Sequence, residues 1–203
     1  MKNDGRMYSC KTITDIEELI EVPSIFIDHY QWSKEYRPEA HAQMAYLDSY
    51  GLIIRLVAFE KNPLRRYKVE NDPVYKDSAL EFFVSFPPYN NRYMNFEVNA
   101  FGTLLSGFGY DGQKRPLSEI TKYKVEIKTE ILENYWTVLM KIPLELISDV
   151  FKITSLKSGD DFKCNFYKIS EDKSIEHYAS WSEITSDLPN FHLIDFFGKA
   201  IIN

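Results

Sequence analysis

Three polar side chains alternate along a segment that has the pattern of a β-strand. In residues 93–100, Asn95, Glu97 and Asn99 point to one face, because successive strand side chains point to opposite faces. Any one of them could simply face water, since one face of an antiparallel sheet is commonly solvated. A row of three is harder to explain in that way, because Asn is depleted in strands. The row therefore indicates a surface that hydrogen-bonds a ligand.

Three other strand-like segments carry polar and aromatic side chains that could join this row. Within each segment, the side chains that share a face are Asp77 and Glu81; Lys163, Asn165 and Tyr167; and His177 and Trp181. If all four faces belong to one sheet, they form a surface of amides, carboxylates, a histidine and two aromatic rings.

A surface of this composition suits a sugar. The apolar C–H face of a pyranose ring packs on an aromatic ring, while planar amides and carboxylates bond pairs of hydroxyls. Aromatic residues make up 15% of the chain, so this kind of contact area is plentiful. The residue types therefore predict a carbohydrate-binding protein that performs no catalysis.

Two other functions stay open on the sequence alone. A hydrolase acting on glycans would need paired carboxylates, and Glu97 with Asp77 or Glu81 could supply them. However, no motif places a nucleophile, a base and an orienting group together. The second alternative is a protein-interaction sandwich, whose exposed aromatic side chains would contact another chain.

Charge and composition exclude some other partners. The chain has 203 residues and a net charge of −6, and its basic clusters are small: Arg65–Arg66, and Lys122 with Lys124. Nucleic-acid binding requires a much larger basic surface, so no nucleic-acid partner is expected. No segment is long and apolar enough to span a membrane, so no membrane partner is expected either. The oligomeric state is left open.

The N-terminus and the cysteines bear on the compartment. Residues 1–14 are polar and lack a signal peptide, so a cytoplasmic protein is expected, or an extracellular one if a leader has been removed. Cys10 and Cys164 do not make a disulfide framework, and we expect free thiols. The histidines and cysteines show no metal-binding spacing, and no cofactor is indicated.

The hydrophobic pattern predicts the elements that position these residues. About eight strands are expected, including hairpins formed by Ala79–Phe86 with Tyr93–Ala100 and by residues 122–130 with 134–142. Short helices are expected at Thr14–Ile20 and Pro143–Val150, and residues 23–50 look irregular. The predicted fold is an all-β, antiparallel β-sandwich of immunoglobulin or jelly-roll type. It forms a single domain, 1–203, in which residues 1–30 are an N-terminal extension packed on the sandwich.

Five short motifs, in order, resemble family 9 carbohydrate-binding modules and their family-9-like relatives. In chain order they are Glu60–Pro63; Asp77–Phe83; Asn95–Asn99; Asn165–Lys168; and Ser180–Trp181 followed by Phe191–His192 and Phe197–Gly198. Asp77–Phe83 fits the family's DS-x-x-E-x-F strand, and all five lie between about Trp32 and the C-terminus. Each motif is weak alone, but five in one order are fairly specific. The resemblance implies a two-sheet sandwich that binds a small sugar or a glycan end, often in proteins that act on plant polysaccharides and are associated with glycoside hydrolases.

The resemblance also assigns roles to particular residues. In typical members two Trp side chains clamp the sugar ring, and the corresponding positions here are Val74, with Tyr75 beside it, and Phe191. A central Arg of the family corresponds to Glu97, and a Gln corresponds to Asn165. We therefore expect an aromatic site of a different shape from that of typical members.

The shared polar faces and the family positions together predict one binding site. Some family members hold structural calcium, for which Asp72 and Asp77 are the candidates here. The predicted ligand-binding residues are Tyr75, Asn95, Glu97, Asn165, Tyr167, His177, Trp181, Phe191 and His192.

Overall fold

The protein is a β-sandwich, as seen in a computed structural model that describes residues 6–33, 35–88, 90–110 and 113–203. Within these residues thirteen strands form two packed sheets. The strands are β1 Met7–Ile13, β2 Ile25–Phe26, β3 Ala40–Leu47, β4 Gly51–Ala58, β5 Ala79–Ser85, β6 Tyr93–Asn99, β7 Leu104–Tyr110, β8 Gln113–Pro116, β9 Glu126–Ile131, β10 Trp136–Pro143, β11 Asp161–Ser170, β12 His177–Ser180 and β13 Gly198–Ile202.

Helical structure is short. The predicted helix after Pro143 is present as α1, Leu144–Phe151. The helix predicted at Thr14–Ile20 is a 3-10 turn over Ile16–Glu21, capped by Asp15, with Glu18 closing the capping box. No helix in the described part of the chain is long and apolar enough to cross a membrane. The four 3-10 turns are Ile16–Glu21, Val74–Lys76, Leu117–Glu119 and Ile194–Phe196.

The N-terminal strand joins the two sheets. The first sheet runs β8-β7-β6-β5-β11-β13, with β12 also on β11, and the second runs β3-β4-β10-β9, with β2 also on β3. Residues Met7–Cys10 of β1 pair with β13, and residues Lys11–Ile13 pair with β3, both in parallel. The other strand pairs are antiparallel, so the predicted orientation fails only at β1. Residues 1–5 of the predicted N-terminal extension lie outside the described residues.

The strand predictions were accurate where apolar alternation is strong. Both predicted hairpins are confirmed, as β5–β6 and β9–β10. The prediction that residues 23–50 are irregular was wrong, because this segment contains β2 and β3. The β3 sequence is rich in Ala and lacks β-branched residues, which removes the usual strand signal. Strand β7 was missed as well, because its two glycines, Gly107 and Gly109, weaken the pattern.

The first sheet is covered on both faces. Its inner face packs against the second sheet through aromatic side chains. Among them are Phe82 of β5 and Phe166 of β11, which stack on each other at a centroid distance of 5.0 Å. Its outer face carries a smaller apolar cluster that includes Phe83, Tyr167 and Phe191. Every residue of β5 and β6 is therefore buried, including the polar ones.

A buried ion pair ties the two sheets together at one end of the sandwich. Lys168 of β11 is fully buried, and its Nζ lies 3.2 Å from Oε2 of Glu60, which follows β4. The same Nζ donates to Ser78 Oγ at 2.7 Å and contacts His177 Nε2 at 2.8 Å. Glu60 also accepts a hydrogen bond from the Trp136 indole of β10 at 2.9 Å.

The pKa values of this cluster follow from its burial and its pairing. Burial alone would raise the pKa of Glu60, but the Lys168 ammonium and the hydrogen bonds from Ser78 and Trp136 hold it at about 2. Burial, reinforced by Lys168, lowers the pKa of His177 to about 3, so this imidazole is neutral at pH 7. Glu60 and Lys168 therefore form a charged pair whose hydrogen-bonding groups are satisfied.

Breaking this pair should destabilise the fold more than removing both charges. In Lys168→Met the Glu60 carboxylate stays buried without its cation, which should cost roughly 3–5 kcal/mol in free energy of unfolding. The double variant Lys168→Met/Glu60→Gln should recover part of this loss. Chemical denaturation at pH 7 measures both, with exposed Lys173→Met as the control. Equal losses in the single and double variants would show that charge pairing is not the source.

Candidate functional site

A cavity of about 380 Å³ opens on the outer face of the first sheet. Its floor contains Glu81 and Glu97, which lie directly opposite each other on β5 and β6. Segment 189–192 and Tyr75, from the loop before β5, form walls of the cavity. The lining residues are Tyr75, Glu81, Glu97, Leu105, Lys114, Ile169, Glu171, Tyr178, Pro189, Asn190, Phe191 and His192.

Strand register brings the predicted polar row to this face. Glu81 pairs with Glu97 on one side and with Tyr167 on the other, and directly paired residues of antiparallel strands share a face. Asn95 and Asn165 each pair with Phe83, so they lie on the same face. The predicted shared face for β6 and β11 is therefore confirmed.

Four of the nine predicted ligand-binding residues line the cavity: Tyr75, Glu97, Phe191 and His192. They come from three separate parts of the chain. Tyr75 lies in the 3-10 turn before β5, Glu97 lies on β6, and the other two follow β12. Tyr75, beside the family position at Val74, and Phe191, at the second family position, are thus brought into one cavity.

Three more predicted residues lie beneath the cavity and support its walls. Asn95 Nδ2 donates to Glu97 Oε1 at 3.0 Å. Asn165 holds the chain after β12 by bonding both the N–H and the C=O of Ser182. Tyr167 stacks under Phe191 at a centroid distance of 4.1 Å. All three side chains belong to fully buried residues, so they position the lining residues.

The structure places His177 and Trp181 on the opposite face, so the prediction that they share the site's face was wrong. Strand β12 pairs with β11 so that its Tyr178, next to His177, faces the cavity. His177 therefore points inward to Lys168. Trp181 packs in the core against Phe166 and closely covers Gly198, where an added Cβ would lie 2.5 Å from the indole.

The sequence reasoning missed a cation that faces the two glutamates. Lys114 of β8 lies with its Nζ 3.0 Å from His192 Nδ1 and about 6 Å from the ring centres of Phe83 and Tyr93. Its signal was hidden because β8 is a short edge strand with no apolar alternation. Glu81 was placed on the predicted polar face but was not among the nine predicted ligand-binding residues, and neither was Tyr178.

A buried aspartate holds Tyr75 at the cavity. Asp77 accepts hydrogen bonds from the backbone N–H groups of Arg66 and Tyr67, from Arg66 Nε and from Asn99 Nδ2. These bonds fasten residues 66–77 to β6. Within this loop Val74, the residue at the family's aromatic position, is fully buried. Its neighbour Tyr75 supplies the aromatic side chain that lines the cavity.

The two candidate calcium ligands do not fit a calcium site. The oxygens of Asp77 are occupied by the bonds to the loop, and Asp72 Oδ2 accepts the backbone N–H groups of Lys68 and Val69. Across the described ranges, no three His, Cys, Asp or Glu side chains are grouped so that they could hold a metal ion.

The glutamate pair is the main electrostatic feature of the cavity. Burial, and then the charge of Glu97, raise the pKa of Glu81 well above its usual value. Burial raises the pKa of Glu97 to about 7, although Lys114 and the Asn95 amide oppose the shift. At neutral pH the pair therefore retains at least one proton, since two adjacent buried carboxylates resist double ionisation.

This arrangement can bond hydroxyl groups in both directions. A protonated carboxyl donates a hydrogen bond, an ionised one accepts, and the Lys114 ammonium donates. Tyr75 and Tyr178 add aromatic surface beside these polar groups. The cavity thus combines ring-packing area with paired donors and acceptors, as binding of a small polyhydroxylated ring requires.

Comparison with known proteins gives one family and a common fold. The family described as carbohydrate-binding family 9 matches residues 15–202. No curated protein gives a significant match to the chain.

Three solved structures share the architecture. A candidate carbohydrate-binding protein from Bacteroides uniformis ATCC 8492 aligns over 98% of this chain and 100% of its own, at 24% identity and a TM-score of 0.81. A family 9 carbohydrate binding module from Caldicellulosiruptor kristjanssonii, solved with glucose, aligns over 98% and 96%, at 11% identity and a TM-score of 0.71. A family 9 module from the same organism, solved with cellotriose, aligns over 97% and 93%, at 14% identity and a TM-score of 0.68. The TM-scores establish a shared fold, and at these low identities the similarity establishes the fold alone.

The glutamate pair should make stability depend on pH in a specific direction. Because folding raises the pKa of Glu97 from 4.5 to about 7, the folded protein holds a proton that the unfolded chain releases. The stability that this proton provides is lost as pH rises from about 4.5 through 7. His177 has the opposite effect below pH 6.5, so the informative quantity is the difference between variants. Glu97→Gln should match the wild type at pH 5 and exceed it at pH 8 by on the order of 1–3 kcal/mol.

Thermal and urea unfolding at the two pH values measure this difference. Glu133→Gln, an exposed position in the β9–β10 turn, is the matched control and should follow the wild type at both pH values. A Glu97→Gln variant that is equally destabilised at pH 5 and pH 8 would contradict the assigned burial and coupling.

Proposed function

The chain belongs to carbohydrate-binding family 9, and from this we propose that it binds a small sugar or the end of a glycan in the Tyr75–Phe191 cavity. One observation carries the proposal. Tyr75, next to the family's first aromatic position at Val74, and Phe191, at the second, are distant in sequence but line a single cavity together with Glu81 and Glu97. An aromatic wall beside a row of donors and acceptors has the chemistry that a pyranose ring requires.

The size and shape of the cavity support a short ligand. Its volume of about 380 Å³ lies near the lower end of the ~300–1,000 Å³ that ligand pockets occupy, which suits one or two sugar rings. We propose that Tyr75 packs on one ring face, because it is the aromatic residue of the loop that lines the cavity. Glu97, Glu81 and Lys114 would then bond the ring hydroxyls.

We further propose a setting in the breakdown of polysaccharides, with the domain acting as the binding partner of catalytic domains. The family 9 modules with the same fold were solved with glucose and with cellotriose. These two sugars are therefore the first probes to test. Because Glu97 occupies the position of a family Arg, the preferred sugar and its stereochemistry are expected to differ from those of typical members.

Removing the aromatic wall should weaken binding without unfolding the protein. Tyr75→Ala should reduce affinity for the bound sugar about five- to tenfold, since one ring contact contributes roughly 1 kcal/mol or more. Tyr135→Ala, in the β9–β10 turn away from the cavity lining, is the matched control and should bind like the wild type. Isothermal titration calorimetry against glucose, cellotriose and a panel of other neutral sugars measures the effect. A sugar whose affinity is unchanged in Tyr75→Ala would contradict the proposed site.

Trp181→Ala is unsuitable as a binding probe because Trp181 lies in the core. Its expected effect is a loss of several kcal/mol of stability, roughly 3–5 kcal/mol for a buried large-to-small change. Phe191→Ala removes the ring that covers Tyr167, so a melting curve must accompany its binding data.

One observation favours a second candidate function, hydrolysis of a glycosidic bond. Glu81 and Glu97 form a buried carboxyl pair with raised pKa values inside a cavity, as acid–base catalysts often do. Asp77 is engaged with the loop and the sheet, so it is not part of such a pair. Reducing-sugar release from oligosaccharides tests this function. Release by the wild type that Glu97→Gln abolishes would establish catalysis, whereas binding without release supports the binding function alone.

A further inference from the structure

A second cavity, of about 540 Å³, opens beside strand β7, on the face of that strand opposite to the first cavity. Leu104 and Ser106 of β7 line it, whereas the intervening Leu105 lines the first cavity. The remaining walls come from the β6–β7 turn, from the 3-10 turn at Leu117–Glu119 and from residues 121–127. The two cavities are thus formed by opposite faces of the same strand.

Two basic segments that are distant in sequence meet at the second cavity. Lys68 lies in the loop before β5, and Lys122 and Lys124 precede β9. All three side chains belong to exposed residues, and none forms an ion pair with a carboxylate in the part of the chain that the structure describes. Glu70 is the acidic residue in the lining, and Lys122 also attracts Asp149 nearby. The cavity therefore carries positive charge on a protein whose net charge is −6.

Exposed aromatic rings stand beside these lysines. Phe101 is 44% exposed and Tyr123 is 37% exposed. Lys68 Nζ lies 4.8 Å from the centre of the Phe101 ring, and Lys122 Nζ lies 5.3 Å from the centre of the Tyr123 ring. Arg65 also lies over Phe101, at 5.3 Å. These contacts hold the cations beside the rings, so that positive charge and aromatic surface lie next to each other in the lining.

We propose that this second cavity binds an acidic saccharide, one whose sugar rings carry carboxylate groups, as in a hexuronate oligomer. The apolar floor, which includes Leu117, Leu146 and Ile127, and the two aromatic rings fit the C–H faces of sugar rings. The three lysine ammonium groups fit the carboxylates, and the hydroxyls of Thr103 and Ser118 fit ring hydroxyls. A neutral sugar would leave the lysine charges unmatched.

The two cavities differ in charge, and this separates their ligands. The first contains three glutamates, Glu81, Glu97 and Glu171, against Lys114 and His192. An acidic sugar would meet carboxylates there, whereas in the second cavity it meets lysines. The second site therefore binds its ligand independently of the proposed function of the first, and either can fail without the other.

The test uses the full chain and a tetramer of 1,4-linked galacturonic acid, titrated by calorimetry at 20 mM and 200 mM salt. The neutral galactose tetramer and inorganic phosphate are the comparison ligands. We expect the acidic tetramer to bind more tightly than the neutral one, and to bind more weakly at high salt because exposed charges are screened. Lys122→Gln/Lys124→Gln should weaken binding about tenfold, because it removes two of the three ammonium groups that would pair with the carboxylates.

Matched variants separate the possible outcomes. Lys157→Gln/Lys173→Gln removes the same charge from exposed positions outside the lining and should leave binding unchanged. Tyr123→Ala should weaken binding of the acidic tetramer, whereas Tyr75→Ala should not. The proposal is overturned if the acidic tetramer does not bind, if the neutral tetramer binds equally well, or if phosphate competes as strongly as the tetramer. It is also overturned if Tyr75→Ala, rather than Lys122→Gln/Lys124→Gln, removes binding.

Discussion

The buried pairing of Lys168 with Glu60 is the constraint on which the position of the candidate site depends. A lysine ammonium is tolerated in the core only because Glu60, Ser78 and His177 surround it. Strand side chains alternate, so fixing Lys168 inward fixes Tyr167 and Ile169 outward. A register slip of one residue on β11 would place the lysine beneath the cavity and a tyrosine ring in the core. The charged cluster thus specifies which face of β11 supports the ligand.

The outward face of the first sheet gains a second layer from irregular chain. Segment 183–197 packs Phe191 and Phe197 onto Phe83 and Tyr167, and the loop fastened by Asp77 covers the opposite side. The cavity is the gap left between these two coverings. Its polar floor is buried because of them, and this burial raises the pKa values of the two glutamates. Binding chemistry and packing therefore have the same structural origin.

The sequence predicted the fold class and the strands with strong apolar alternation well, and it predicted the site only in part. Alternation placed Glu97 and Asn95 on one face, and the family resemblance brought in Tyr75 and Phe191. Local periodicity shows which residues of β12 share a face but not which of its two faces points outward, because that depends on pairing with β11. His177 was therefore misplaced. Lys114 was missed for a similar reason, since an edge strand without apolar residues acquires its position only from tertiary pairing.

Strand β1 sets a limit on the order in which the chain can fold. Its residues 7–10 hydrogen-bond to residues 199–202, almost the largest sequence separation that the described chain contains. During synthesis at ~5–20 residues per second, residues 7–10 must wait on the order of 10–40 seconds for β13. Lys11–Ile13 of the same strand can pair with β3 much earlier, so the strand that joins the two sheets is paired in two stages. Closure of the sandwich is a late, non-local event, and such closure makes β-sandwich folding slow.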